Sequence, residues 1–453
     1  MIMRRSRPVP PAHLLPARAQ KGYRRGMNIL ILHPNFPGQF RHVAAHLAKT
    51  GHDVLGVGAK HSPGLPGVRL IRYEIRNPPK AAHRYLGTVT NAAVRGEAVG
   101  KLLLELKKQG WTPDAVLAHP GWGEALYVKD VFPDARLVSL FEFYYHAQGA
   151  DVGFEPGPDG KPAQPADFDL AARLTSRNML HLMNLERCDA AVSPTHWQKS
   201  LHPAAYLDKI LVAHEGVDTD LLTPDAQTRL KLSTGLELAP GDPVVSFVAR
   251  NLEPYRGFHV FMRALPEIQR RNPQAIAVIA GGDGVSYGAK PRDAKNWREK
   301  LLAEVGPRLD LSRVVFTGRI PYAAYRALLR VSAAHVYLTY PFVLSWSMLE
   351  AMSCGCLVAA SATPPVLEML EHEKNGLTFN FFDTDALAAR VTDALTRPGD
   401  YAALRAAARK TVVDGYGVAR GVTAYAALLN ASPSVEAESR HAASAPQADM
   451  PQA

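Results

Sequence analysis

Short apolar runs with strand character alternate with helical stretches along almost the whole chain, and this alternation limits the fold more than any other feature. Buried strands separated by helices are typical of parallel βαβ units that carry helices on both faces of the sheet. We therefore predict an α/β protein with two doubly wound, Rossmann-like domains facing a cleft and terminal helices packing back. The predicted strands are 27–32, 53–57, 68–73, 114–118, 136–140, 190–193 and 210–213, followed by 244–249, 275–280, 314–317, 334–338, 357–360 and 377–379.

The length and the turn residues divide the chain into parts. At 453 residues it is too long for one hydrophobic core, so two domains are expected. A stretch rich in Gly, Pro and Asp at 147–166 is interpreted as a surface excursion. The predicted parts are a basic disordered tail 1–26, a first domain 27–222, a linker 223–242, a second domain 243–410, a terminal helix 411–430 that can cross back to the first domain, and a disordered tail 431–453.

The positive charge is concentrated at the amino terminus. Residues 1–26 contain seven Lys and Arg and no acid, which accounts for most of the net charge of +10. The high pI therefore does not indicate a nucleic-acid-binding body. The alternative for this tail is a membrane-surface or targeting segment, although it lacks the apolar core of a signal peptide. Three cysteines without a second Cys pair favour neither a zinc site nor a disulfide framework and suit a reducing cytoplasm.

The segment 341–360 has the pattern of a site at the carboxyl end of a strand. A small-polar turn leads from the predicted strand 334–338 into a short helix over 347–353. Free N–H groups in the first turn of a helix favour an anion such as a phosphate. Glu350 follows among apolar neighbours, where a carboxylate needs partners such as ribose hydroxyls. The alternative is a half-exposed helix glutamate. The turn and first helical residues are Ser345, Trp346, Ser347, Met348 and Leu349.

Two arginines lie in the loop after the first strand of the second series. Arg250 and Arg256 are placed to bind a diphosphate, since guanidinium groups bind phosphate oxygens in bidentate fashion. The alternative is surface charge paired with Glu253. Gly282, in a glycine-rich turn, and the Arg319-Ile320 turn follow later strands. Neither a dinucleotide fingerprint nor a GxxxxGK[ST] phosphate loop occurs in the sequence.

The order of these motifs resembles that of the large retaining glycosyltransferase family four, which has the GT-B fold. The resemblance covers about residues 27–430 and is most specific in the second half. The matching stretches are Ala249-Arg250-Asn251…Arg256-Gly257, Gly281-Gly282-Asp283-Gly284, Thr317-Gly318-Arg319-Ile320, Leu349-Glu350-Ala351-Met352, Glu368…Asn375-Gly376-Leu377, and in the first half Ala191-Val192-Ser193 and Glu215-Gly216-Val217-Asp218.

The resemblance implies a role for each matching position. Arg250 and Arg256 would hold the donor diphosphate, with Arg256 where the family usually has lysine. Glu350 would hold the nucleotide ribose, and the backbone from Ser345 to Leu349 would face the sugar and phosphates. Gly38 and Gln39 lie where the family has a loop that touches the diphosphate from the opposite domain.

Two positions depart from the family pattern. Phe342 occupies the place of the first glutamate of the family's pair, which brings the usual donor-sugar contacts into question. The histidine that the family often has near the transferred sugar, at the end of the fifth strand, is replaced by Phe141-Glu142-Phe143. His119, at the end of the preceding strand, is the predicted catalytic substitute, and His146 and Glu142 are further candidates.

No metal or other cofactor is expected. Asp218-Thr219-Asp220 has a metal-binding form known from another glycosyltransferase fold, but in its loop it is interpreted as a helix-capping or hinge element. The two arginines and helix N-termini are expected to meet the diphosphate charge instead. Asp383-Thr384-Asp385 is similarly interpreted as a helix start.

The resemblance implies a retaining transferase that moves a sugar from a nucleotide-sugar to a hydroxyl of a glycan or lipid-linked acceptor, in polysaccharide or cell-envelope glycan synthesis. It further implies a cytoplasmic location with peripheral contact at the inner face of the membrane, and no nucleic-acid partner. The alternatives are an epimerase or a phosphorylase-like enzyme on the same plan, and a non-catalytic sugar- or nucleotide-binding protein, which Phe342 favours. The sequence does not identify the sugar, the base, the acceptor or the oligomeric state.

Overall fold

A computed structural model describes residues 26–76, 78–157 and 166–430. The predicted tail 431–453, and the tail 1–26 apart from Gly26, lie outside the described residues. None of the helices in the described part is long and apolar enough to cross a membrane.

The first sheet has seven strands, all parallel, in the order β3-β2-β1-β4-β5-β6-β7. Its inner strands are buried on both faces, which explains why they are apolar without alternation. The strands are β1 Asn28–Leu32, β2 Asp53–Ala59, β3 Arg69–Tyr73, β4 Ala115–Ala118, β5 Arg136–Leu140, β6 Ala190–Ser193 and β7 Ile210–Val212.

Between the two large sheets the chain forms a small antiparallel hairpin, β8 Leu230–Lys231 with β9 Glu237–Leu238. The hairpin lies inside the predicted linker 223–242. Its leucines pack into a cluster with Val244 and Val278 of the second sheet, so this part of the linker is attached to the second domain.

The second sheet has six parallel strands in the order β12-β11-β10-β13-β14-β15. The strands are β10 Val244–Asn251, β11 Ile276–Gly282, β12 Val314–Gly318, β13 Ala334–Tyr337, β14 Leu357–Ser361 and β15 Leu377–Phe379. The predicted fold class, two doubly wound α/β domains, is confirmed, because both sheets have the Rossmann strand order.

The helices connect these strands, and several begin at a side-chain cap. Asp167 accepts the N–H of Leu170 at the start of α4, and Asp383 accepts the N–H of Ala386 at the start of α11. The helices are α1 Arg41–Lys49, α2 Gly87–Lys108, α3 Val128–Val131, α4 Phe168–Arg187, α5 His196–Ser200, α6 Phe258–Arg271, α7 Trp297–Val305, α8 Tyr322–Val331, α9 Ser347–Ser353, α10 Pro364–Leu367, α11 Thr384–Thr396, α12 Ala402–Tyr416 and α13 Val418–Asn430.

The carboxyl-terminal helices return to the first domain. The predicted terminal stretch 411–430 contains the end of α12 and all of α13, with an extended residue, Gly417, between them. Tyr425 and Leu429 of α13 are buried in the same cluster as the strands of the first sheet. Val217, at the start of the connection between the domains, forms a bridge with Gly417.

The predicted surface excursion at 147–166 is corrected by the structure for its described part. We call residues 147–157 the strap. Its Ala150 and Asp151 are buried, and the Phe154 ring lies 5.0 Å from that of Tyr340 in the second domain. The Gly, Pro and Asp content correctly indicated a loop. This loop, however, packs against the second domain and is not exposed to solvent along its whole length.

Candidate active site between the two sheets

Each sheet has its topological switch point between two central strands, β1 and β4 in the first and β10 and β13 in the second. Open α/β sheets bind ligands at the carboxyl ends of such strands. The loops there carry six of the predicted site residues, which are Gly38, Gln39, His119, Arg256, Ser345 and Trp346. On the first sheet these loops are 33–40 and 119–124, and on the second they are 251–257 and 338–346.

Arg256 is fixed at the second switch point. It is 8% exposed, and its Nη1 donates to Thr339 Oγ1 at 2.8 Å and to the Val343 carbonyl at 2.9 Å. Its guanidinium carbon lies 5.2 Å from the centre of the Tyr287 ring. Arg256 therefore presents a positioned charge to the loop that leads to Glu350.

Arg250 is an exposed residue near the end of β10. Within the described part of the chain its side chain makes no hydrogen bond, ion pair or ring contact. It lies close enough to His33 of the first domain to lower that residue's pKa. The alternative that it pairs with Glu253 is wrong. Glu253 is fully buried and accepts the backbone N–H groups of Ser286, Tyr287 and Gly288 at 2.8–3.1 Å.

Gly282 and Arg319 meet at a neighbouring position. Arg319 Nη2 donates to Asn251 Oδ1 at 3.2 Å, and a Cβ on Gly282 would lie 3.0 Å from Arg319 Nε. Ile320 instead packs with the β8–β9 hairpin cluster. The structure thus brings Gly282 and Arg319 together and leaves Ile320 beside them as an apolar wall.

Glu350 is buried and already has two partners. The Tyr325 hydroxyl donates to Oε2 at 2.5 Å and the Tyr322 hydroxyl to Oε1 at 3.2 Å. Burial raises the pKa of Glu350, and the two tyrosine hydrogen bonds oppose that rise. The predicted half-exposed alternative is wrong, since Glu350 is only 6% exposed. Tyr325 holds one carboxylate oxygen firmly, whereas the longer bond from Tyr322 is the one an incoming hydroxyl would replace.

An arginine of the first domain completes this pocket. The Arg41 guanidinium lies 5.7 Å from the Tyr322 ring centre and 5.5 Å from that of Trp346, and among the described residues its Nε has no hydrogen-bond partner. Trp346 Nε1 donates to Glu215 Oε1 at 2.6 Å. A small enclosed cavity lies here between the domains. Its lining is Arg41, His42, Gly216, Val217, Asp218, Leu222, Tyr322, Trp346 and Glu350.

The turn before α9 differs in part from its prediction. The N–H of Ser345, which was expected to face phosphate, donates to the Tyr337 hydroxyl at 2.7 Å. Met348 and Leu349 are buried in a core cluster, so their side chains do not reach the crevice, and Ser347 is buried as well. Only backbone groups of these residues are available to a ligand.

The predicted loop on the first domain is tightly packed. Gly38 has φ +51°, and a Cβ there would lie 2.4 Å from the His33 ring. Burial, with contributions from His119 and Arg250, lowers the pKa of His33 to about 3. Gln39 Nε2 donates to Glu142 Oε1 at 2.8 Å. This loop therefore positions an amide against a carboxylate of the next loop.

Changing Gly38 to alanine should lower kcat/KM at least tenfold for the transfer reaction that the family resemblance implies. The new methyl group would overlap the His33 ring and displace the loop. Such overpacking costs about 1–3 kcal/mol. Gly51→Ala is the matched control, since Gly51 has φ +91° and nothing within 4 Å of a Cβ. Both variants share the backbone strain. Equal loss of activity in the two, compared at equal folded fraction, would contradict the packing argument.

Both ring nitrogens of His119, the predicted catalytic substitute, are engaged. Its Nδ1 accepts the N–H of Gly121 at 3.1 Å and its Nε2 lies 3.0 Å from Glu142 Oε2. The proton of a neutral ring is therefore on Nε2 and is donated to Glu142. The ring also packs on Trp122 at 4.2 Å. His146 is likewise engaged, with Nε2 at 2.8 Å from the Leu201 carbonyl.

Glu142 accepts the hydrogen bonds from Gln39 and His119. Burial disfavours its charge, but the hydrogen bonds from His119 and Gln39 and the nearby His33 outweigh that effect and hold the pKa of Glu142 below its usual value of 4.5. Its side chain is 19% exposed. Glu142 is thus an ionised carboxylate at the first switch point.

Phe342 lies in an aromatic cluster drawn from both domains. Its ring centre is 4.6 Å from Phe143, 4.9 Å from Tyr287 and 5.6 Å from Tyr255. Tyr255 also donates to Asp151 of the strap at 2.9 Å. The position that departs from the family pattern is therefore filled by packing.

The strap is held on the second domain beside this cluster. Glu155 accepts a hydrogen bond from the Tyr340 hydroxyl and lies 3.1 Å from His259 Nε2. Further along the cleft, Glu368 accepts the N–H groups of His196 and Trp197 at the start of α5. The domains are joined by polar contacts on both sides of the site.

Asp218, the first residue of the predicted Asp-Thr-Asp motif, bonds to the backbone of its own loop. Asp218 Oδ1 accepts the N–H of Leu221 at 3.0 Å. Within the described residues, no three or more His, Cys, Asp and Glu side chains are grouped in a way that would hold a metal ion.

Sequence reasoning missed the residues whose roles depend on distant contacts. Tyr322 and Tyr325 were not predicted, although their spacing of three on α8 places them on one face of the helix and is a signal that could have found them. Arg41, Tyr287 and the pairing of Gln39 with Glu142 gave no local signal, because their partners are between 31 and 305 residues away.

Two parallel, doubly wound sheets in one chain have the architecture of the GT-B fold. Solved structures of this fold agree. A sucrose-phosphate synthase from Thermosynechococcus elongatus has a TM-score of 0.65 over 92% of this chain and 100% of its own, at 17% identity. Anabaena HepE, solved with UDP and glucose, has a TM-score of 0.63 over 89% and 99%, at 16% identity. At these identities the likeness shows the fold alone.

The sequence comparisons identify the family. Residues 50–222 match the glycosyl transferase family 4 group and residues 232–411 match the glycosyl transferases group 1. The chain belongs to the group 1 glycosyltransferases, as the motif order predicted.

Among curated relatives, the GDP-mannose-dependent alpha-(1-6)-phosphatidylinositol monomannoside mannosyltransferase of Mycolicibacterium smegmatis is 28% identical over 239 residues, 50% of this chain and 58% of the relative. The same enzyme of Mycobacterium tuberculosis is 26% identical over 298 residues, 64% and 70% of the two chains. A D-inositol 3-phosphate glycosyltransferase of a Mycobacterium species is 31% identical over 167 residues, 36% and 34%. This chain thus matches little more than half the length of the first of these relatives.

Proposed function

We propose that this protein is a retaining glycosyltransferase that moves a sugar from a nucleotide-sugar donor to a hydroxyl of a glycan or lipid-linked acceptor, in polysaccharide or cell-envelope glycan synthesis. The observation that carries the proposal is the fixed guanidinium of Arg256, which donates to the loop that leads to Glu350, together with the exposed Arg250 near the end of β10. Two cations and one carboxylate at adjoining carboxyl ends match a diphosphate and a ribose.

The proposed reaction needs charge stabilisation on one side and a hydroxyl on the other. The bond from the anomeric carbon to the diphosphate oxygen breaks, with the electron pair remaining on the leaving oxygen. The acceptor oxygen forms the new bond to that carbon on the same face, and its proton passes to the leaving phosphate. Arg250 and Arg256 stabilise the growing negative charge, and for this reason we propose no metal for the reaction.

The nucleotide-sugar would lie mainly on the second domain. Its ribose would replace the Tyr322 bond to Glu350, and the Arg41–Trp346–Tyr322 group would lie against the nucleotide. Relatives named for GDP-mannose and phosphatidylinositol substrates support a nucleotide-sugar and a membrane-linked acceptor. We therefore propose a cytoplasmic enzyme with peripheral contact at the inner face of the membrane and no nucleic-acid partner.

A thermal-shift panel of UDP-, GDP- and ADP-sugars tests this proposal. One donor class is expected to stabilise the protein, by about 2.7 kcal/mol at a concentration 100 times its Kd, and to release nucleoside diphosphate slowly without acceptor. Glu350→Gln should weaken that shift, because the neutral amide has one acceptor oxygen where the carboxylate has two. Binding without any release of nucleoside diphosphate or transfer would favour the non-catalytic alternative, and no shift with any donor would contradict the proposal.

A further inference from the structure

The carboxylate of Glu142 has no role in the function proposed above, yet it is built into the first switch point. It lies two residues after the end of β5, and its two oxygens accept one bond each, from Gln39 at 2.8 Å and from His119 at 3.0 Å. An ionised carboxylate offers about four lone-pair positions. Two positions are therefore used, and the side chain remains 19% exposed and able to accept further hydrogen bonds.

The support around this carboxylate fixes both its charge and its direction. The Gly121 N–H occupies His119 Nδ1, which leaves the Nε2 proton for Glu142. The Gln198 side-chain amide donates to the backbone carbonyl of Glu142 itself. A group held at the side chain and at the backbone is preorganised, as a binding residue needs to be.

The residue after Glu142 reaches the position that lacks a glutamate in the second domain. The next residue, Phe143, packs its ring 4.6 Å from the ring of Phe342. On the other side, both Glu142 and Arg250 act on the charge of His33. The loop of Glu142 therefore contacts the aromatic cluster around Phe342 through Phe143, and His33 lies near both Glu142 and the exposed Arg250.

We propose that Glu142 binds the hydroxyls of the transferred sugar, supplying from the first domain the carboxylate that Phe342 removes from the second. This inference rests on the function proposed above. Glu142 accepts hydrogen bonds from the sugar and forms no bond to carbon. Its negative charge also faces the sugar as positive charge develops at the anomeric carbon, which favours the transition state.

Glu142→Gln tests the inference, because it keeps the shape and removes the charge. With the donor found by the thermal-shift panel, kcat/KM for transfer is expected to fall about 100-fold, while the affinity for the free nucleoside diphosphate stays within about threefold. Glu142→Asp should recover part of the loss. Glu186→Gln is the control and should leave both values unchanged, since Glu186 is an exposed carboxylate of the same domain that accepts a hydrogen bond from Tyr206 on the surface.

Deoxy-sugar donors provide a readout that a purely structural role would not change. Removing the hydroxyl that Glu142 binds should cost the wild type at least tenfold in kcat/KM and cost Glu142→Gln much less, so that the two changes are non-additive. Full discrimination among deoxy donors in Glu142→Gln, or unchanged transfer by that variant, would overturn the inference while leaving the transferase intact. A wild type that neither transfers nor hydrolyses any nucleotide-sugar would overturn the proposed function, and the inference with it.

Discussion

Arg256→Ala is expected to lower kcat about 10³-fold, because it removes a preorganised cation from the place where the leaving diphosphate gains charge. The guanidinium is buried and already fixed by Thr339 and by the Val343 carbonyl. Its position therefore requires no reorganisation when the donor binds. Steady-state kinetics of donor hydrolysis and transfer, each corrected for the folded fraction, would measure the loss.

Two further variants separate this charge effect from a general loss of folding. Arg256→Lys keeps the charge and the residue type usual at this place in the family, so it should stay within roughly tenfold of the wild type. Arg270→Ala removes an exposed arginine of α6 whose partner among the described residues is Glu267 on the same helix, and it should leave kcat unchanged. A lysine variant as poor as the alanine variant would indicate that the bidentate geometry, and not the charge, is what the site needs.

Arg256 shows why part of the site was predictable. In parallel sheets every strand delivers its carboxyl end to one edge, so residues that follow apolar runs are brought together even when far apart in the chain. Arg250, Arg256, Gly282, Arg319 and Glu350 all follow such runs. Periodicity was sufficient to locate the strands within one or two residues, because buried parallel strands are apolar on both faces.

The contacts between the domains were not predictable in the same way. Asp151 bonds to Tyr255 at a separation of 104 residues. Arg41 of the first domain packs on Trp346 of the second domain. No periodicity encodes such a pair, and the Gly, Pro and Asp content of the strap indicates only a turn-rich backbone. Whether Phe154 of such a loop is exposed or inserted depends on the surface opposite it.

His119 illustrates a second limit. Its place at the end of β4 was predicted, but its function depends on which nitrogen holds the proton. That is decided by the Gly121 N–H and by Glu142. The sequence contains all three residues, but only their geometry shows that the histidine orients the carboxylate.

Lowering the pH from 7 to 5 is expected to destabilise the protein by several kcal/mol, through histidines that burial keeps neutral. Burial lowers the pKa of His33, His181 and His335 to about 3 and that of His202 to about 4, from 6.5. Below pH 6.5 the unfolded chain binds protons that the folded chain does not, so stability falls as the pH falls toward the folded-state pKa. Each group contributes about 1.4 kcal/mol per pH unit in this window, so four together reach roughly 8 kcal/mol at pH 5. Urea unfolding at pH 7, 6 and 5 would measure the change.

Single substitutions assign this acid sensitivity to the buried rings. His335 lies in β13, fully buried and beside Ser246 at 3.0 Å, away from the crevice. His335→Gln will itself cost stability, but it should reduce the dependence of the unfolding free energy on pH between 7 and 5, because one of the buried titrating rings is lost. His46→Gln, at an exposed position of α1, should leave that dependence unchanged. Carboxylates with ordinary or lowered pKa values titrate below this pH range. If stability began to fall only below pH 4.5, the carboxylates would be the cause, and the role of the histidines would be contradicted.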